Sequence, residues 1–161
     1  MKVVNTGLLF LVVLLLLAVS FPASSGTTLG LSLEKSYSDD FTRFGGFLRT
    51  GGLFKLELGG LKSMEESSQE IDLFSYLMTD LVLSNFGTST GALHMYLGAS
   101  PVMSVTTDQP SFSFSTSEAY GKLGLQFKTF PFSLGVWAKS KLGFNGDIKG
   151  VLGGAGFGFS F

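Results

Sequence analysis

Leucine and phenylalanine recur at every second position over most of the chain after residue 26, with glycine, serine or a charged residue between them. A period of two is that of a β-strand, whose successive side chains point to opposite faces. Thr27–Ser36 sets Leu29, Leu31 and Leu33 on one face with Thr27 and Lys35. Phe41–Thr50 follows, with Phe44, Gly46 and Leu48 against Arg43, Gly45, Phe47 and Arg49. Leu53–Gly60 directs Phe54, Leu56 and Leu58 outward and Lys55 and Glu57 inward. Gly51-Gly52 predicts a two-residue hairpin turn between these segments, because glycine accepts positive φ at little cost.

Leu61–Glu70 is the most polar stretch and reads as an exposed loop. Ile71–Ser84 supports two readings. As a strand it turns Leu73, Leu77, Leu81 and Leu83 outward, with Asp72, Phe74, Tyr76, Met78, Asp80 and Val82 inward. As a helix it gathers Asp72, Ser75 and Thr79 into a polar stripe. The strand is preferred, because its neighbours are strands and a pairing partner is needed there. After the turn cluster Asn85–Gly91, Gly91–Thr106 alternates Leu93, Met95, Leu97 and Ala99 against His94, Tyr96 and Gly98. Pro101 lacks a backbone donor and predicts a bulge or the edge of the paired zone.

Thr107–Pro110 reads as a loop. In Ser111–Lys128, Phe112 and Phe114 share one parity and Leu123, Leu125 and Phe127 the other, so a bulge near Ser117–Tyr120 is expected to swap the faces. Thr129–Phe132 is a turn. Ser133–Leu142 places Leu134, Val136 and Ala138 outward and Trp137, Lys139 and Lys141 inward. Asn145-Gly146-Asp147 is a further turn. The last segment, from Ile148, sets Phe157, Phe159 and Phe161 on one face and Gly154, Gly156, Gly158 and Ser160 on the other.

The count is eight strands, all antiparallel neighbours. A soluble strand with one buried face presents polar residues on the other. Here one face is oily and the other is small or charged, the pattern of a membrane barrel with lipid outside and a crowded interior. Composition points the same way. The chain has 22 Gly and 17 Phe, and charged residues make up only 14%, against roughly 25% in soluble domains. Beyond the N-terminal segment no apolar run reaches the ~20 residues of a spanning helix.

Met1–Ser25 reads as a cleaved signal peptide: Lys2, an uncharged apolar run over Leu8–Val19, Pro22, then Ala23-Ser24-Ser25. Residues 26–161 would then be a single barrel domain. The absence of cysteine excludes disulfides and N-terminal lipidation. Net charge is −1 and speaks against a nucleic-acid partner. Gly26–Tyr120 holds eleven acids and five bases, and Gly121–Phe161 five lysines and one acid. Ring closure would bring the late lysines beside the early carboxylates.

These features together resemble the small, eight-stranded bacterial outer-membrane β-barrel proteins. The F-x-F-x-F of Phe157–Phe161 resembles the terminal signal read by the outer-membrane assembly machinery. The resemblance implies an all-β, up-and-down transmembrane barrel in the bacterial outer membrane, with both termini on the periplasmic side. Its partners would be outer-membrane lipids, the assembly machinery and periplasmic chaperones. No subfamily signature is present, so no specific activity carries over.

Candidate chemistry is sparse. Lipid A deacylases of this architecture use a His-x-Ser pair, whereas the single histidine, His94, precedes Met95 and Tyr96. It reads as a hydrogen-bonded lumen residue. One His and no Cys leave no usual zinc set, and Asp39-Asp40 and Glu65-Glu66 read as solvated acidic rims. Gly153–Gly156 lacks the Lys-Ser/Thr of a phosphate loop. No cofactor, metal or catalytic residue is assigned. An eight-stranded barrel is wide enough only for its own side chains. Arg43, Arg49, Lys55, Glu57, Asp80, Lys122, Trp137, Lys139 and Lys141 are therefore expected to fill the lumen as a network, with Asp72, Glu118 and Lys128 at lumen or rim positions and Tyr76 filling space. Aromatic anchors at the two interfaces would be Tyr37, Phe41, Phe86, Tyr120, Phe130, Phe132 and Phe161. The expected role is structural or surface-interacting. The alternatives are a narrow transport barrel for small apolar or anionic solutes, and a lipid-modifying enzyme.

Overall fold

A computed structural model of the chain describes residues 26–37, 41–65, 70–86, 91–107 and 111–161. The expected signal peptide, residues 1–25, lies outside them, as do Asp39, Asp40, Glu66 and the Asp108–Pro110 part of a predicted loop. Among the described residues there are eight strands and no helix. They are β1 (Thr27–Ser36), β2 (Thr42–Gly51), β3 (Phe54–Ser63), β4 (Glu70–Asn85), β5 (Ala92–Thr106), β6 (Ser111–Thr129), β7 (Phe132–Gly143) and β8 (Ile148–Ser160). Each strand pairs antiparallel with the next. β8 pairs with β1, from Thr28↔Ser160 to Ser36↔Leu152, and closes the barrel. Closure leaves no sheet edge there. The ring is sealed by Thr27 N–H donating to Phe161 O (3.1 Å) and Phe161 N–H donating to Thr27 O (2.9 Å).

The alternation of the sequence becomes two faces of unlike chemistry. Leu29, Leu31 and Leu33 on β1, Leu134 and Val136 on β7, and Phe157 and Phe159 on β8 are exposed. The core lies inside the ring, where Phe47, Leu61, Phe74, Tyr76, Met78, Tyr96, Tyr120 and Trp137 form one cluster. Its packing rests on cross-strand pairs of ring and glycine. Phe47 faces Gly30, Phe74 faces Gly59, Tyr96 faces Gly124, and Trp137 faces Gly154. A Cβ on any of these glycines would overlap the facing ring.

Ile71–Ser84 is strand throughout, because β3 and β5 both pair with it. The residues of its would-be polar stripe find strand partners. Asp72 pairs with Arg43, Ser75 N–H donates to Ser100 Oγ (2.9 Å), and Thr79 Oγ1 donates to Leu97 O (3.3 Å). The register slips near Pro101, where β6 carries extra residues between Phe114 and Ala119. Phe112 and Phe114 face out on one side of that irregularity, and Leu123 and Leu125 on the other. The anticipated face-swap site and the proline thus meet at one place in the sheet.

Several expectations need correction. Leu61, Lys62 and Ser63 extend β3 rather than opening a loop, and Leu61 is buried at 1% exposure. Its apolar side chain continues the inward parity of Lys55, Glu57 and Gly59, and this outweighs the polar residues after it. The first hairpin turn comes one residue late. Gly51 (φ 122°) still pairs with Lys55, and Gly52 and Leu53 make the connection. Val82 is exposed rather than inward, since β4 shifts register between Val82 and Ser84. Leu56 has outward parity yet is covered, between its cross-strand partners Thr50 and Leu77. Tyr120 is buried in the interior rather than set at an interface, because it belongs to the inward parity of Lys122 and Gly124 beyond the face swap.

Candidate functional site

The chemistry of the molecule is concentrated in the lumen, because inward parity on successive strands brings charged side chains from distant parts of the chain together. At its centre Glu57 (β3) is fully buried. Arg49 Nε on β2 donates to Glu57 Oε2 at 2.8 Å, and Lys122 Nζ on β6 donates to Oε1 at 2.6 Å. Arg49 also donates to Gln126 Oε1 at 2.5 Å. Lys122 stands 4.1 Å from the Trp137 ring centroid and 5.0 Å from that of Tyr76, so aromatic faces supply the rest of its environment.

Toward the β1–β2 loop, Lys139 forms an ion pair with Glu34, and Trp137 Nε1 donates to Glu34 Oε1 at 3.0 Å. Lys139 also lies 4.6 Å from the Tyr120 ring. Arg43 pairs with Asp72 further along. Toward the chain termini, Asp80 accepts from Lys55 and from Lys128 (2.8 Å) on the same oxygen, and its other oxygen lies 3.0 Å from His94 Nδ1. The central pairs are buried. Such pairs contribute little net stability over a packed apolar core, yet losing one partner strands a buried charge.

The structure thus brings Arg43, Arg49, Lys55, Glu57, Asp80, Lys122, Trp137 and Lys139 into the lumen. Lys141 sits at the rim, 3.8 Å from Glu118, where Lys149 also binds at 2.7 Å. Tyr76 packs beside Phe74, ring centroids 5.5 Å apart. Glu34 and Gln126 were missed as network members. Their signal was present, since Glu34 lies opposite Leu31 and Leu33 in parity, and Gln126 lies opposite Leu123 and Leu125. Among the described residues two vestibules stand out in the interior. One, of about 220 Å³, opens at the end bearing the chain termini and includes Arg49, Lys55 and Lys128 in its wall. The other, of about 450 Å³, opens at the opposite end among Arg43, Glu118, Tyr120, Lys141 and Lys149.

The outer face carries its own feature. A shallow crease of about 700 Å³ runs over Gly135 and Ala155 between Leu31, Phe44, Leu125, Leu134 and Phe157. Phe132 bridges toward the C-terminal aromatics, with ring centroids 5.7 Å from Phe157 and 5.8 Å from Phe159. Of the anticipated interface aromatics, Tyr37, Phe86, Phe130, Phe132 and Phe161 are exposed, and Phe41 lies under Arg43 at 4.4 Å. Among the described residues no group of three or more His, Cys, Asp or Glu converges as a metal site. The chain matches no protein-family profile and no curated protein sequence.

Proposed function

We propose that this protein is a bacterial outer-membrane β-barrel whose lumen is filled by its own side chains, and that its role is structural or surface-interacting rather than catalytic. The observation that carries this reading is the inverted polarity of the ring. Leu31, Leu134 and Phe157 are about half exposed, while Glu57 and Lys139 are at 0% and 1%. In water that arrangement would place a continuous oily belt against solvent, far beyond the few hundred Å² usual for soluble monomers. In a bilayer the belt is solvated by acyl chains, and the outer crease suits a lipid tail.

Dimensions support the same reading. The shorter strands have ten residues. At ~3.4 Å per residue and a tilt of ~40°, such a strand rises ~25 Å, the height of an outer-membrane apolar band. An even strand number sets both termini at one end, which we assign to the periplasm, with the β1–β2, β3–β4, β5–β6 and β7–β8 connections outside. Phe157, Phe159 and Phe161 would serve as the assembly signal.

A filled lumen excludes a wide pore. Planar-bilayer recording on the purified protein should show little conductance. Conductance should rise in the Trp137→Ala, Lys139→Ala double variant, with folding verified by heat-modifiable migration. A wild-type barrel that already admits sugars in liposome swelling would favour the transport reading instead.

A further inference from the structure

We propose that the vestibule at the terminus-bearing end is a binding site for a small soluble oxyanion of the phosphate or carboxylate class. The observation is an imbalance of charge beside an accessible cavity. In that half of the lumen four cations, Arg49, Lys55, Lys122 and Lys128, share two carboxylates, Glu57 and Asp80. Two ammonium groups converge on the single oxygen Oδ2 of Asp80. An ammonium carries three donors, and one shared carboxylate oxygen satisfies one from each.

The cavity lies where this surplus is. Its wall includes Arg49, Lys55 and Lys128 together with the hydroxyl residues Thr28, Thr50 and Ser160, and none of the described residues lining it is acidic. The volume of about 220 Å³ accommodates an oxyanion with several waters. Phe130 and Phe132 complete the wall with apolar surface, which lowers the local dielectric and strengthens charge-assisted hydrogen bonds. The opposite vestibule is unlike it, because Glu118 stands in its wall and takes up Lys141 and Lys149. The two mouths therefore differ in what they can hold: among the described residues, the one at the terminus-bearing end has cations without an acid facing the cavity.

The test is a titration of the folded full-length mature protein in detergent with inorganic phosphate at constant ionic strength, read by amide chemical shifts. The expected result is saturable, one-site binding with shifts at Thr50, Lys55 and Ser160 and none at Lys149 or Gly150. Lys128→Gln should weaken it roughly tenfold, the loss of one charge-assisted contact, while Lys149→Gln leaves it unchanged. Absence of saturation, shifts centred on the Glu118 mouth, or equal affinity in a folded Lys128→Gln protein would each overturn the proposal. If that variant does not fold, the wild-type shift map decides alone. The outcome is independent of the role proposed above, since a barrel that binds no phosphate can still be a closed structural one.

Discussion

Single residues in this lumen divide by whether water can replace a lost partner. Glu57 holds Arg49 and Lys122, which are only 5% and 4% exposed. Glu57→Gln leaves two buried cations without a countercharge, and breaking such a pair costs about 3–5 kcal/mol. The folded, heat-modifiable band should therefore be lost at markedly lower urea. Glu118→Gln severs contacts to Lys141 and Lys149 at a wet rim, and its urea midpoint should match that of the wild type. Equal sensitivity of the two variants would mean that the interior is hydrated. The inward charges were legible from parity alone, because they lie opposite leucines along their strands. Their pairing was not, since Glu34 meets Lys139 and Glu57 meets Lys122 only after the ring has closed.

At the scale of strands, fit depends on rings lying against glycines across the sheet. Trp137 covers Gly154 and comes into contact with Gly156, so the glycine face of β8 is shaped to the indole. Gly154→Val should collide with it, and overpacking of this kind costs about 1–3 kcal/mol. Adding Trp137→Ala should recover part of that loss, as measured by urea unfolding of single and double variants. Additive destabilisation would refute the contact. The strands themselves were visible in the period of two, and β4 was settled by partners on both sides rather than by its own sequence. Boundaries were less visible where composition misled. Polar residues after Leu61 concealed the end of β3, and the bulge at Val82 is invisible to a strict alternation. β8 closes the ring with Phe161, whose backbone exchanges two hydrogen bonds with Thr27. Removing Phe161 deletes that seal and the last aromatic of the proposed assembly signal. Outer-membrane levels of the truncated protein should fall several-fold in fractionated envelopes, and normal levels would contradict the assignment.

At the scale of the whole molecule, the closed ring satisfies its backbone internally and turns its apolar residues outward, which is the one β architecture that a bilayer accepts. The cysteine-free sequence allows the proposed membrane environment to be tested site by site. Nitroxide labels placed singly along β7 from Ser133 to Lys139, in protein reconstituted into lipid vesicles, report collisions with oxygen and with a water-soluble nickel chelate. A strict alternation is expected, with Leu134, Val136 and Ala138 accessible to oxygen and shielded from nickel, and Ser133, Gly135, Trp137 and Lys139 shielded from both. Labels at Leu134, Val136 and Ala138 that meet nickel freely, on a protein that stays monodisperse without detergent, would contradict it.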